Sequence, residues 1–393
     1  MASVGLALSA LLVLWDSLRA GVDAPGASAW RARFLGWAPL VVFLCWSALG
    51  PWLGGNGPSG SGLARVSDWL GLPIAAYAFT RISATQRRTL FVVSAVLLLV
   101  SCAAAGLQHF GLWPSQESVL KATHGHFSGY RVYERIPGSP YFMGGGLSFH
   151  RLKFAHVSGL AVLVLLGIGL HSAPSERGRL LAVVAIAVGC IVLFPFARAA
   201  VVALGVGAAV TVALQRSSPR QGLWVAVALL ALLGVTLSLS PPLRARFEGS
   251  LGNEGNGDRK ALWATGLRAV ESHPLVGIGA GRFVPGHFAD SATPRDVVEH
   301  PGRAHNQFLT IAAETGLVGL GLFLGLLGWV ASRVRRGSTE AAVALGILTF
   351  FVLLSLLHDP LYHAVFSMAV TLCLGACLGQ SAALPRTEQS PRA

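Results

Sequence analysis

The sequence has little charge. Only 12% of its 393 residues are Asp, Glu, Lys or Arg, about half the share that soluble domains carry, which excludes a soluble enzyme of this size. Disorder is excluded too, because 53% of the residues are hydrophobic and disorder needs low hydrophobicity with high charge. Lysine is nearly missing: of 30 basic residues only Lys121, Lys153 and Lys260 are Lys. The formal net charge of +13 comes from scattered arginines with no continuous stripe or basic tail, so no nucleic-acid partner is expected. Five cysteines, Cys45, Cys102, Cys190, Cys373 and Cys377, all lie inside apolar runs without a CxxC pair. They read as small core residues, not as disulfide partners or metal ligands. His124-Gly-His126 has no third ligand at metal spacing and the chain has no HExxH, so no metal is expected either. What remains is a polytopic membrane protein.

A membrane-crossing helix needs roughly 20 mostly apolar residues. Apolar stretches near 3–18, 35–54, 66–80, 89–112, 154–171, 180–196, 199–214, 222–240, 306–332, 340–358 and 361–380 predict an all-α fold with about 11–12 transmembrane helices. The stretch at 3–18 lacks the basic n-region of a signal peptide and reads as a span. Short-loop arginines set the orientation. Segments 19–34, 81–88, 172–179, 215–221 and 333–339 and the tail are arginine-rich, whereas 55–65, 197–198 and 359–360 hold only Arg65 and Arg198. The first group is therefore expected in the cytoplasm. This divides the chain into N-terminal membrane helices (1–112), a first periplasmic loop (113–153), central helices (154–240), a large periplasmic loop with short helices (241–305), C-terminal helices (306–380) and a cytoplasmic tail (381–393). Every histidine except His171 falls in the two long loops or at helix ends on their side, so any chemistry is expected there.

The large loop reads GDRKALWATGLRAVESHPLVGIGAGRF. Asp258 is a predicted N-cap, and Trp263, Leu267 and Val270 follow at helical spacing, which predicts a short amphipathic helix ended near Ser272 by His273-Pro274. Arg259 shares a face with Trp263. GIGAG (277–281) follows no strand, so a dinucleotide fingerprint is excluded; it reads as a tight turn that lets backbone approach backbone, with an amide contribution to an anion site as the minor reading. His305-Asn306 stands at the mouth of the ninth span, as a titratable group at the lipid surface or as an interfacial cap. Glu314 lies nine residues further on, about 13 Å along a straight helix, near the bilayer midplane. It is a functional carboxylate or a buried packing residue beside Gly316 and Gly319. Arg198, after FPF, suits bidentate diphosphate binding or snorkelling. Tyr130, Arg131, Tyr133, Arg135, His150, Arg151, Lys153 and His156 suit a sugar or phosphate surface as well as a plain solvated one. His358 and His363, in HDPLYH, share that ambiguity.

The pairing of SHPLVGIGAGRF with AHNQFLTIAAETGLVGLGLFL resembles the signature of the bacterial O-antigen ligase / O-antigen polymerase family. These are polytopic glycosyltransferases that act on undecaprenyl-diphosphate-linked glycans at the periplasmic face. FARAAVVAL is similar to the family's SR-containing helix, with Ala197 in place of Ser, and DRKALW to its loop arginine followed by Trp. GGGLSFHRLKFAHVSGLAVL is similar more loosely to its GxFxxPNxxA helix, without the Pro-Asn. The resemblance covers roughly 145–330. It implies that Arg198 and Arg259 hold the donor's diphosphate and that His305 activates the acceptor hydroxyl, without metal or cofactor. Asn306 and Glu314 join them as candidate substrate-binding residues. The implied partners are an undecaprenyl-diphosphate-linked glycan donor, a glycan acceptor (lipid A–core, or a lipid-linked repeat for a polymerase) and membrane lipids, in the inner membrane. A secondary transporter or lipid flippase is the rival reading. Glu314 near the midplane favours it, whereas no inverted repeat or pair of interrupted spans supports it.

Overall fold

The structure, a computed structural model, describes residues 36–113, 135–136, 139–215, 257–299, 303–334 and 337–383, with isolated helical positions at 224, 227, 231, 234 and 238. The expected span at 3–18, most of the one at 222–240, the segment from His124 to Tyr133 and the tail lie outside these residues. The described chain forms α1 (Ala38–Leu49), α2 (Gly60–Ser67), α3 (Gly71–Arg81), α4 (Ala84–His109), α5 (Arg151–His171), α6 (Pro174–Leu193), α7 (Arg198–Ala213), α8 (Gly257–Ser272), α9 (Arg295–Val298), α10 (Gln307–Arg333), α11 (Thr339–Leu357) and α12 (Ala364–Ala383). Among the described residues there is no strand, only an isolated bridge between Arg135 and Phe142. Five of these helices, α4, α5, α10, α11 and α12, are long and apolar enough to cross a membrane. The protein is an all-α, multi-pass membrane protein.

Local sequence sets the helix ends. Ser83 and Gln86 form a reciprocal capping box at the start of α4, with bonds of 2.8 and 3.2 Å. Ser338 caps α11 by accepting from Ala341 N–H at 3.1 Å. Each satisfies backbone donors that the first helical turn leaves without partners. Two expected spans differ from the structure. The stretch 35–54 is helical only to Leu49 and continues as a 3-10 turn through Gly50–Gly54, where Pro51 and two glycines disfavour a longer α-helix. The stretch 66–80 belongs to a longer unit, α2 joined to α3 by a 3-10 turn at Asp68–Leu70.

The centre of the bundle is aromatic. Trp69, 2% exposed, meets Phe323 of α10 edge-on at 5.4 Å and Phe351 of α11 at 6.5 Å. Phe351 in turn stacks on Phe366 of α12, so one indole ties three helices to the α2–α3 unit. Elsewhere helices pack through small residues. A Cβ on Gly346 of α11 would meet Thr211 Oγ1 of α7 at 2.0 Å and Gly207 O at 2.8 Å. In lipid, where tails are as apolar as leucine, such close van der Waals contact is what holds helices together. α4 turns Val92, Val93, Val96, Leu97 and Val100 outward, as expected of a lipid-facing helix.

Candidate functional site

The site is built on an interrupted helix. α10 runs from Gln307 to Arg333, but Gly316 has φ 71° and ψ 177° and breaks it. The loop after α8 fills the break: Leu317 N–H donates to Pro274 O at 2.8 Å, Ile278 N–H to Ala313 O at 2.9 Å and Gly279 N–H to Glu314 O at 2.9 Å. Two glycines make this contact possible. A Cβ on Gly277 (φ 72°) would lie 2.4 Å from the Glu314 carbonyl carbon, and one on Gly316 would lie 2.0 Å from Leu275 O. The glycine-rich turn therefore brings backbone against backbone, as its sequence predicts.

Glu314 closes the same joint. Its carboxylate accepts from Tyr362 O–H at 2.6 Å, pairs with Arg65 at 3.7 Å and faces the Gly281 and Phe283 N–H groups. The Tyr362 ring lies between two guanidinium groups, Arg65 at 3.6 Å and Arg303 at 4.8 Å from its centroid. A cavity of about 50 Å³ lies beside this cluster. α10 is broken two residues after Glu314, and the loop after α8 reaches its backbone there. Its contacts link the loop, α2 and the 358–363 turn.

Three helix mouths converge next to this joint. The described residues hold three non-glycine positions with left-handed backbone, Phe149 (φ 48°), Phe196 (φ 52°) and His305 (φ 52°). Each stands immediately before the N-cap of a helix: His150 caps α5, Ala197 precedes α7 and Asn306 caps α10. Such a conformation costs about 1–2 kcal/mol in a residue with a Cβ, and strain of this kind gathers at functional sites. The turns aim Arg151, Arg198 and His305 at one place. Arg198 is within electrostatic reach of Arg259 and Arg151, and His358 within reach of Arg259, His305 and Arg151. Burial and the neighbouring Arg151 lower the pKa of Arg259. Helix N-termini and guanidiniums within electrostatic reach of one another are the groups that attract an anion.

Residues 181–324 match the O-antigen ligase family model. That stretch, over a third of the chain, is similar to an O-antigen ligase domain. No curated protein sequence matches the chain. The match supports an activity of the O-antigen ligase or polymerase type. The matched stretch contains Arg198, Arg259, His305, Asn306 and Glu314, whereas His150, Arg151, His156, His358, Asp359 and His363 lie outside it.

The structure separates the expected site residues. Arg198 lies within electrostatic reach of Arg259, and Arg259 and His305 both lie within reach of His358. Asn306 is the N-cap of α10, accepting from Leu309 N–H at 3.1 Å, and so shapes the mouth beside His305. The predicted amphipathic helix is α8; it starts one residue before Asp258 and ends at Ser272. Its Trp263, Leu267 and Val270 face α10 across an apolar groove of about 390 Å³ that also touches Asn306. The sequence singled out His358 and His363 but not how their turn is held against α10. Asp359 accepts from Thr310 O–H at 2.7 Å, Gln307 N–H donates to His358 O at 3.1 Å, and Leu361 N–H donates to Gln307 Oε1 at 3.0 Å. These bonds clamp the turn to the start of α10. Burial pushes the Asp359 carboxyl up to about 6. Burial first, then neighbouring cations and imidazoles, hold His358 down at about 3 and His363 at about 2, so both are neutral at neutral pH. Among the described residues no three His, Cys, Asp or Glu are arranged to hold a metal ion.

Proposed function

We propose that the chain is a metal-independent glycosyltransferase that moves a glycan from undecaprenyl diphosphate to an acceptor sugar of lipid A–core at the periplasmic face of the inner membrane. The observation that carries this reading is the convergence of three strained helix mouths with Arg198, Arg259, Arg151 and His305. Glycosyl transfer from a lipid diphosphate develops negative charge on the leaving group and frees a proton from the acceptor. Preorganised cations meet the first need, with Arg198 and Arg259 presenting planar forks suited to phosphate oxygens. His305 meets the second as the base. The apolar groove between α8 and α10 suits the prenyl chain, and it opens beside Asn306, so a chain lying there presents its diphosphate to the cations. The break in α10 does not favour transport, because the protein's own loop fills it.

The test is turnover of a synthetic undecaprenyl-diphosphate-linked oligosaccharide by the detergent-purified chain, in EDTA, with lipid A–core or a second donor molecule as acceptor. Transfer to lipid A–core is expected; extension of the donor alone would make the chain a polymerase. His305→Ala should lose about 10²–10⁴ in rate, and Arg198→Lys and Arg259→Lys should keep at most partial activity. Wild-type turnover in both Arg259→Ala and His305→Ala would overturn the site, and loss in EDTA restored by Mg²⁺ would overturn the metal-free mechanism.

A further inference from the structure

Behind His305 stands a row of imidazoles that the proposed reaction does not yet use. Ring centroids are 6.4 Å apart for His305 and His358, 5.7 Å for His358 and His156, 6.3 Å for His156 and His363, and 5.6 Å for His363 and His150. Two imidazoles that share an N–H···N bond have centroids about 5–5.5 Å apart, so the His358–His156 and His363–His150 pairs stand close to that spacing, whereas the His305–His358 and His156–His363 pairs need a shift of about 1 Å or a bridging water. The middle member is the informative one. His156, on α5, is 1% exposed, and neither of its ring nitrogens has a hydrogen-bond partner. A buried polar group without a partner is destabilising. Packing alone would be served better at this position by Phe or Leu.

Resting on the reading of His305 as the base, we propose that His358, His156, His363 and His150 form a proton-exit chain leading from His305 to the loop surface before α5. Donor and acceptor cover His305 on the substrate side, and His358 stands edge-on at 90° behind it. In the transfer step the acceptor O–H bond breaks and its oxygen forms the new bond to the anomeric carbon. The bond from that carbon to the diphosphate oxygen breaks, and its electron pair leaves on the diphosphate. The hydroxyl proton is taken by one nitrogen of His305, whose other nitrogen passes a proton to His358. Each following ring accepts at one nitrogen and releases from the other, and half-buried His150 delivers the proton to water. Neutral rings suit this task because each holds one acceptor and one N–H. Burial and nearby Arg259, Arg151, Arg303 and Lys153 keep His358 and His363 neutral. A bound diphosphate offsets Arg259 and Arg151, which eases passage of a proton through His358.

The test sets a relay against packing. In the same donor–acceptor assay, His156→Phe and His156→Leu remove both orphaned nitrogens and keep the volume filled. A relay predicts turnover lowered tenfold or more, donor KM within twofold, and a larger solvent deuterium isotope effect on kcat. It also predicts that added imidazole restores part of the turnover in His156→Ala. Wild-type turnover in folded His156→Phe would overturn the relay. Should every His156 variant fail to fold, His363→Gln decides, and unchanged turnover there overturns it equally. Full turnover in His305→Ala would instead remove the base itself, so the two failures are distinguishable.

Discussion

Replacing Gly277 by Ala tests the joint between the loop and α10 on which the site stands. The new Cβ would meet the Glu314 carbonyl carbon at 2.4 Å and Glu314 O and Gly316 N at 2.5 Å. All three are backbone atoms, so no side chain can swing aside, and the loop must lift by about 1 Å to reach ordinary contact. The left-handed φ of 72° adds about 1–2 kcal/mol for a residue with a Cβ. Lifting the loop stretches the Ile278–Ala313 and Gly279–Glu314 bonds, each contributing about 1 kcal/mol. The expected loss is therefore about 3–4 kcal/mol, read as a drop of roughly 5 °C or more in the unfolding midpoint of the detergent-solubilised protein, together with reduced glycan transfer. Gly325→Ala in the same helix is the control. Nothing lies within 4 Å of a Cβ there, and exchanging a helical Gly for Ala stabilises by about 0.5–1 kcal/mol. Equal midpoints and turnover for Gly277→Ala and wild type would refute the docking of the loop into the broken helix.

Other consequences follow from the same geometry. Tyr362→Phe leaves the buried Glu314 carboxylate without its 2.6 Å donor and should cost about 1–3 kcal/mol in thermal unfolding; an unchanged midpoint would show that the bond does not form. His358 at about 3 and His363 at about 2 lie below the ordinary 6.5, so their contribution is fully present above pH 6.5 and is lost as the pH falls. At pH 5 that loss is about 2 kcal/mol for each. Asp359, raised from 3.8 to about 6, acts in the opposite sense and returns about 1 kcal/mol at pH 5. The net fall in midpoint between pH 7 and pH 5 should flatten in the His358→Gln/His363→Gln double variant, and a pH-independent midpoint in the parent chain would contradict the burial of both rings. In a cysteine-free background Ala292→Cys should react with an impermeant maleimide in intact cells and Arg220→Cys only after permeabilisation. The reverse pattern would invert the topology and move the site to the cytoplasm.

The sequence made some parts of this architecture readable and hid others for physical reasons. Period and length sufficed for α5, α7, α10, α11 and α12, whose apolar runs begin and end within a few residues of the helices observed. Trp263, Leu267 and Val270 marked the face of α8 that borders the groove, and GIGAG marked a turn of close backbone approach. The break in α10 at Gly316 was not legible in the sequence. Gly316 is only one glycine among several in α10, and what breaks the helix there is the Leu275 carbonyl, 41 positions earlier in the chain. The partners of Glu314 were hidden for the same reason. Arg65 and Tyr362 lie 249 and 48 positions away along the sequence, and no local pattern links an arginine before α3 to a tyrosine after α11. The histidines were visible one by one in loops and helix mouths, but only the fold lines five of them up.

The left-handed residues before α5, α7 and α10 carry a warning for anyone engineering this protein. A stabilisation campaign would choose Phe149, Phe196 and His305 first, since glycine at a left-handed position relieves about 1 kcal/mol of strain. Here glycine at 149 or 196 would loosen the turns that precede Arg151 and Arg198, and glycine at 305 would remove the imidazole itself. Variants selected for heat resistance at these positions should therefore be sturdier and slower, a trade-off between endurance and turnover located in three residues that a survey of packing alone would mark as defects.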